Sequence, residues 1–163
     1  MSERAAKQQQ AVNCQGATPT RTPAGNAISV LAFQILRLSA NLATAGDELA
    51  KPAGQTSARW QVLAAADYEP STVADIARAL GLTRQSVQRV ADLLASDKLV
   101  KYEDNPVHQR AKLVRLTAAG SNVLRVIQSA QIKWANALAK KLNVTDVTRV
   151  STTLEQIMNV LRA

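Results

Sequence analysis

At 163 residues the chain is about one domain long, and its 47% hydrophobic content is enough for a packed core. A net charge of +8 and a pI near 10.2 favour an anionic polymer as partner and make that binding salt dependent. One His, one Cys and six scattered Gly assemble no nucleophile–base pair, metal-ligand cluster or phosphate-cradling loop, so no catalytic residue, cofactor or metal is expected.

The aromatic fraction is only 3%, so the core is built mostly from Ala, Leu, Val and Ile, which favours close-packed helices. An almost all-α fold is expected. Residues 1–25 are polar, with Gln8-Gln9-Gln10 and a Thr/Pro-rich run from Thr18 to Pro23, and read as a disordered tail. They hold no apolar signal-peptide core, so a cytoplasmic location is expected. Cys14 lies in this tail and is the only cysteine, which excludes an intramolecular disulfide.

From Ala27 the residues Ile28, Leu31, Ala32, Ile35, Leu38 and Leu42 recur at helical spacing, and Gly46 follows near the end of the helix. No stretch is read as approaching the roughly 20 apolar residues that span a bilayer, and no helix pairs a lysine-rich face with aromatics. A membrane partner is therefore not expected.

Thr72-Val73-Ala74-Asp75 places a hydroxyl three residues before an acid, the pattern that satisfies orphan amides at a helix start. Val73, Ile76, Ala77 and Leu80 share one face, and Gly81 follows where a left-handed residue ends a helix. After Leu82, Thr83 can cap a second helix whose Val87, Val90, Ala91 and Leu94 again share a face. The short turn between them is that of a helix-turn-helix. Rotation by about 100° per residue puts Gln85, Gln88, Arg89 and Asp92 opposite the apolar stripe, with Arg84 and Ser86 at its flanks. Gln and Arg can each make two hydrogen bonds to a base edge, which suits major-groove readout.

Leu99–Glu103 and Lys112–Leu116 read as two strands joined by the polar loop Asp104–Ala111, a wing. Its tip carries His108, Gln109 and Arg110 ahead of Lys112 and can reach a minor groove or a phosphate. Residues 71–116 hold eight Lys or Arg against five acids, and residues 117–163 six against two, so the basic character is broad. Thr117 caps a long helix up to Lys141 carrying Val123, Leu124, Ile127, Ala130, Trp134 and Leu138. A last helix holds Val147, Val150, Leu154, Ile157 and Leu161 on one side.

Ala58-Arg59-Trp60-Gln61-Val62-Leu63, Leu82-Thr83-Arg84-Gln85-Ser86-Val87, Asn105-Pro106 with Arg110-Ala111-Lys112, and Leu116-Thr117-Ala118-Ala119-Gly120 stand in the order found in the MarR family of winged-helix transcription regulators. The chain resembles that family from about Ala27 to its end. The resemblance implies a mostly α fold: a winged helix-turn-helix with a two-stranded wing over 55–116, and a helical dimerisation region from 26–50 and 117–163. It implies a homodimer on a pseudo-palindromic duplex, most simply a repressor, with Thr83, Arg84, Gln85, Ser86, Gln88, Arg89, His108, Gln109, Arg110 and Lys112 toward DNA. It also implies a small apolar or aromatic effector, for which Phe33, Arg37, Trp60 and Trp134 are the candidate neighbours. Some relatives sense peroxides through a cysteine on their first helix, whereas Cys14 precedes it here. A winged-helix module serving protein assembly alone, without specific DNA binding, is the second reading.

Overall fold

The computed structural model describes residues 20–108 and 110–162. The expected tail up to Pro19, Cys14 within it, and Gln109 of the wing lie outside the described residues. Two compact units divide the chain, one ending at Asn41 and the other beginning at Leu42.

Helix α1 runs from Pro23 to Ala50, starting ahead of the expected 26 and passing through Gly46. Thr22 explains the start: its Oγ1 accepts from the Gly25 amide at 3.0 Å, and Pro23 suits a first turn whose amides have no helical partner. Gly46 lies near the end of the helix, as expected. A Cβ there would lie 2.6 Å from Ser57 Oγ, so glycine allows a close approach in the helix interior. One residue on, Asp47 Oδ1 accepts from the Ser57 amide at 2.6 Å. The chain then turns through a 3-10 segment, Lys51–Ala53, and Gly54 in the left-handed region (φ 67°).

The stretch Pro23–Ala53 also corrects an expectation. By length and composition it could cross a bilayer, with a mean hydropathy of 1.4 over a window none of which is buried. Its Ser, Thr, Asn and Gly residues interrupt the apolar run without adding charge, so the stretch holds no unbroken run of about 20 apolar residues.

Helix α2, Ser57–Tyr68, is capped by Thr56, and α3, Val73–Leu80, by Thr72. Thr72 Oγ1 accepts from the Asp75 amide at 3.2 Å and donates to Asp75 Oδ2 at 2.7 Å, as the spacing predicts. Gly81 (φ 66°) ends α3 with its amide on Ala77 and Arg78 carbonyls. Thr83 caps α4, Arg84–Ser96, whose Val87, Ala91 and Leu94 are buried.

Strands β2, Val100–Glu103, and β3, Leu113–Leu116, form the wing, with Tyr102 opposite Val114. The sheet has a third strand absent from the sequence reading. This is β1, Ser71–Thr72, pairing antiparallel with Val114 and Leu113, so the order is β1-β3-β2. Two residues are too few for an alternating pattern, so only the pairing defines the strand. Thr117 caps α5, Ala118–Ala139, and also donates from Oγ1 to the Lys98 carbonyl at 2.7 Å. Gly120 is obligatory there: a Cβ would sit 2.0 Å from the Leu99 carbonyl oxygen. Helix α6 spans Val144–Arg162 and buries no residue. One apolar core joins α2, α3, α4, the sheet and the start of α5 through Leu63, Ile76, Leu94, Val114 and Leu124.

Candidate nucleic-acid interface

The outer face of α4 follows from its core face. With Val87, Ala91 and Leu94 buried, Arg84, Gln85, Arg89 and Asp92 are exposed, and Ser86 and Gln88 are half-buried. Thr83, Arg84, Gln85, Ser86, Gln88, Arg89 and Asp92 line an open hollow of about 890 Å³ along this face. The hydroxyls at its amino end keep part of their capacity. Thr83 Oγ1 accepts the Ser86 amide at 3.2 Å and retains a proton to donate, while Ser86 Oγ donates to the Thr83 carbonyl at 2.9 Å and retains lone pairs.

A second hollow of about 390 Å³ lies between α4 and the wing. Arg84 and Gln88 line it from the helix, Tyr102, Arg110, Ala111 and Lys112 from the wing, and Thr72, Val73 and Ala74 complete the lining. The structure thus brings Arg84 and Gln88 of the helix and Arg110 and Lys112 of the wing to one groove, while Thr83, Gln85, Ser86 and Arg89 border only the hollow along α4 and His108 lines neither. His108 is exposed at the wing tip, where Asn105 Oδ1 accepts from the Val107 amide at 2.9 Å and the His108 amide at 3.3 Å, bending the loop as an Asx turn.

Tyr102 is the functional-site residue that sequence reasoning missed. Its hydroxyl donates to Asp92 Oδ1 at 2.6 Å and accepts from Gln88 Nε2 at 2.9 Å, tying the wing to α4. Burial, with the Asp92 carboxylate next to it, pushes the phenol up to about 12, so it stays protonated. No local pattern announces this, since a strand tyrosine reads as ordinary β propensity.

Charge is distributed selectively across this unit. Arg59 pairs with Asp97 at 2.5 Å, Arg78 with Asp75 at 2.8 Å, and Lys101 and Arg115 with Glu103 at 2.8 and 2.6 Å. The side chains of Arg84, Arg89, Arg110 and Lys112 have no acid partner among the described residues. The cations that border the hollows are thus among those whose guanidinium and ammonium groups remain available.

The four effector candidates fall in different settings. Phe33 and Arg37 belong to the first unit and are exposed. In the second unit, Trp60 packs half-buried against the core, and Trp134 is half-buried on α5.

The model of the MarR family matches residues 53–111, from the 3-10 segment to the wing. An uncharacterised protein of Mycobacterium tuberculosis is 34% identical over 136 residues, which are 83% of this chain and 95% of that protein. Among solved structures, a mutant of MarR from E. coli complexed with operator DNA is 24% identical, with a TM-score of 0.69 over 81% of this chain and 96% of its own. CouR from Rhodococcus jostii, bound to p-coumaroyl-CoA, is 21% identical, with a TM-score of 0.69 over 78% of this chain and 90% of its own. At such identities the two structures show a shared fold. With the family model on the helix-turn-helix and wing, and the fold shared along most of the chain, the protein belongs to the MarR family of transcription regulators.

Proposed function

We propose that the protein is a homodimeric, sequence-specific DNA-binding repressor that acts by occupying promoters. The observation that carries this reading is the groove between α4 and the wing, where Arg84, Arg110 and Lys112 stand without acid partners among the described residues. Unpaired cations around a hollow attract phosphate, and the Gln and Arg residues beside them carry base-reading geometry. Thr83, Gln85, Ser86, Gln88 and Arg89 then face base edges or adjacent phosphates, and His108, Arg110 and Lys112, with Gln109, approach from the wing.

The second copy is argued from α1 and α6. Both leave large apolar side chains in water, among them Phe33, Leu36, Val160 and Leu161. We read the apolar surface of α1 as a dimer face rather than a membrane span, because its last turns are tied into the second unit: Gly46 packs on Ser57, and Asp47 caps α2. Two copies on a two-fold axis present two α4 helices to successive major grooves, so the target is pseudo-palindromic. Acting on DNA places the protein in the cytoplasm. The CoA-ester bound by CouR supports an effector with an apolar or aromatic part, for which Phe33, Arg37, Trp60 and Trp134 remain the candidates. Such a ligand releases DNA if it prefers a spacing of recognition helices that does not fit the operator.

The test is fluorescence anisotropy of the protein on the duplex upstream of its own gene and on a scrambled duplex, across a salt series. A preference of about a thousandfold or more at physiological salt is expected. Equal binding to both with a steep salt dependence would reduce the protein to a charge-driven binder. Binding to neither would favour a winged-helix module for protein assembly.

A further inference from the structure

We propose that Val107, at the apex of the wing, packs its methyl groups on the floor of the minor groove and so selects A·T over G·C base pairs, with no distinction between A·T and T·A. The inference rests on the DNA-binding reading above and names what the tip of the wing recognises there.

Of the large apolar side chains between β1 and β3, Val107 is the most exposed, at 78% against 50% for Leu93. A lone apolar side chain in water is common on protein surfaces. This one stands where the loop is held in shape. Pro106 before it has a fixed φ, Asn105 Oδ1 accepts from the Val107 and His108 amides, and the His108 carbonyl accepts from the Ala111 amide at 3.0 Å. The β-branched side chain is itself stiff at χ1. Little conformational freedom is therefore left to lose when DNA covers the tip. Residues 105–108 include no Lys or Arg, and Asp104 precedes them, so the apex is not built to neutralise a phosphate. The cations that suit phosphate, Arg110 and Lys112, stand further along the chain, at the groove with α4.

In the minor groove A·T and G·C pairs differ by one group. Both offer acceptors on the floor, and G·C adds the guanine N2 amine, a donor. Valine has no acceptor in its side chain, so a methyl group against that amine takes it out of water unpaired, which costs about tenfold in affinity. An A·T pair has no such donor, and runs of A·T narrow the groove, bringing its walls nearer the side chain. Arg110 can favour the same narrow groove through charge, so the experiment separates the two residues.

The experiment is selection of duplexes from a randomised pool by the full-length wild type and by Val107→Leu, Val107→Asn and Arg110→Ala, with the salt slope measured on the selected duplex. The wild type should enrich, in each half-site, a position that takes A or T equally and disfavours G and C by about tenfold. Val107→Leu, still apolar, should keep that preference. Val107→Asn brings an acceptor for the guanine amine and should abolish or reverse it, with the salt slope unchanged because no phosphate contact is lost. Arg110→Ala should lower the slope and retain the preference. Because Val107 is exposed, its variants should melt as the wild type does. Half-sites enriched by the wild type without an A-or-T position would overturn the inference and leave the regulator intact. An A-or-T preference that survives Val107→Asn, or one lost in Arg110→Ala alone, would do the same. Enrichment of no sequence by the wild type would overturn the regulator reading itself, and this inference with it.

Discussion

The segment from α2 to β3 and the helices α1 and α6 leave opposite kinds of surface open. In the former, Thr56, Thr72 and Thr83 cap the helix starts, and Val62, Leu63, Ile76, Val87, Leu94, Val100 and Val114 are exposed by 2% or less. What remains outside around the two hollows is polar and cationic. In the latter, only Gly46 and Ala50 are buried, while Phe33 is 62% and Leu161 80% exposed. One region completes its own core and presents charge, which a polyanion neutralises. The other presents apolar area, which only another apolar surface removes from water.

The largest expected effect tests whether the reading unit is complete in itself. Gly120→Ala forces a methyl toward the Leu99 carbonyl, a backbone atom that cannot swing aside. It should cost about 3 kcal/mol or more in urea unfolding, at the upper end of overpacking penalties. A loss near zero would show that the start of α5 sits loosely on β2. Next comes the apolar side of the comparison: Leu36→Glu on α1, 69% exposed, should weaken self-association about a hundredfold. Sedimentation velocity over a dilution series reads this, and an unchanged mass would remove that surface from the dimer.

How far each region could be read from sequence follows from the range of its interactions. The caps at Thr72, Thr83 and Thr117 were legible because a hydroxyl and an amide three residues on are one local event. Gly81 was legible for the same reason, and the outer face of α4 follows from helical periodicity alone. Gly46 stands near the end of its helix as the spacing has it, but its close approach to Ser57 was not legible, because only the fold brings Ser57 near. Strand β1 exists through its partner β3. The triangle of Gln88, Asp92 and Tyr102 needs the wing folded back on α4, so periodicity found Gln88 and Asp92 but gave no reason for Tyr102.

On the cationic side, Arg89→Ala should cost specific duplex about 1–3 kcal/mol and random duplex much less, if the guanidinium reads a base. Equal losses would make it a phosphate contact. Arg110→Ala should lower the slope of log affinity against log salt by about one, as expected for one phosphate neutralised. An unchanged slope would remove the wing tip from the phosphate backbone and confine the polar surface to α4.

The smallest effect separates paired cations from unpaired ones. Lys101, and then Arg115, hold the Glu103 carboxyl below its ordinary 4.5. Because the folded value lies below the unfolded one, this stabilisation is present above about pH 4.5 and is lost as pH falls through the folded value. Glu103→Gln should therefore lower the melting temperature a little at pH 7, exposed pairs being weak, and the gap to wild type should close toward pH 3. A gap of equal size at both pH values would mean that Glu103 contributes through packing instead of charge. The same substitution releases Lys101 and Arg115 on the strands that carry Arg110 and Lys112 between them. Affinity for random duplex at low salt should then rise, opposite in sign to Arg110→Ala, because the acid that occupied those two cations has been neutralised.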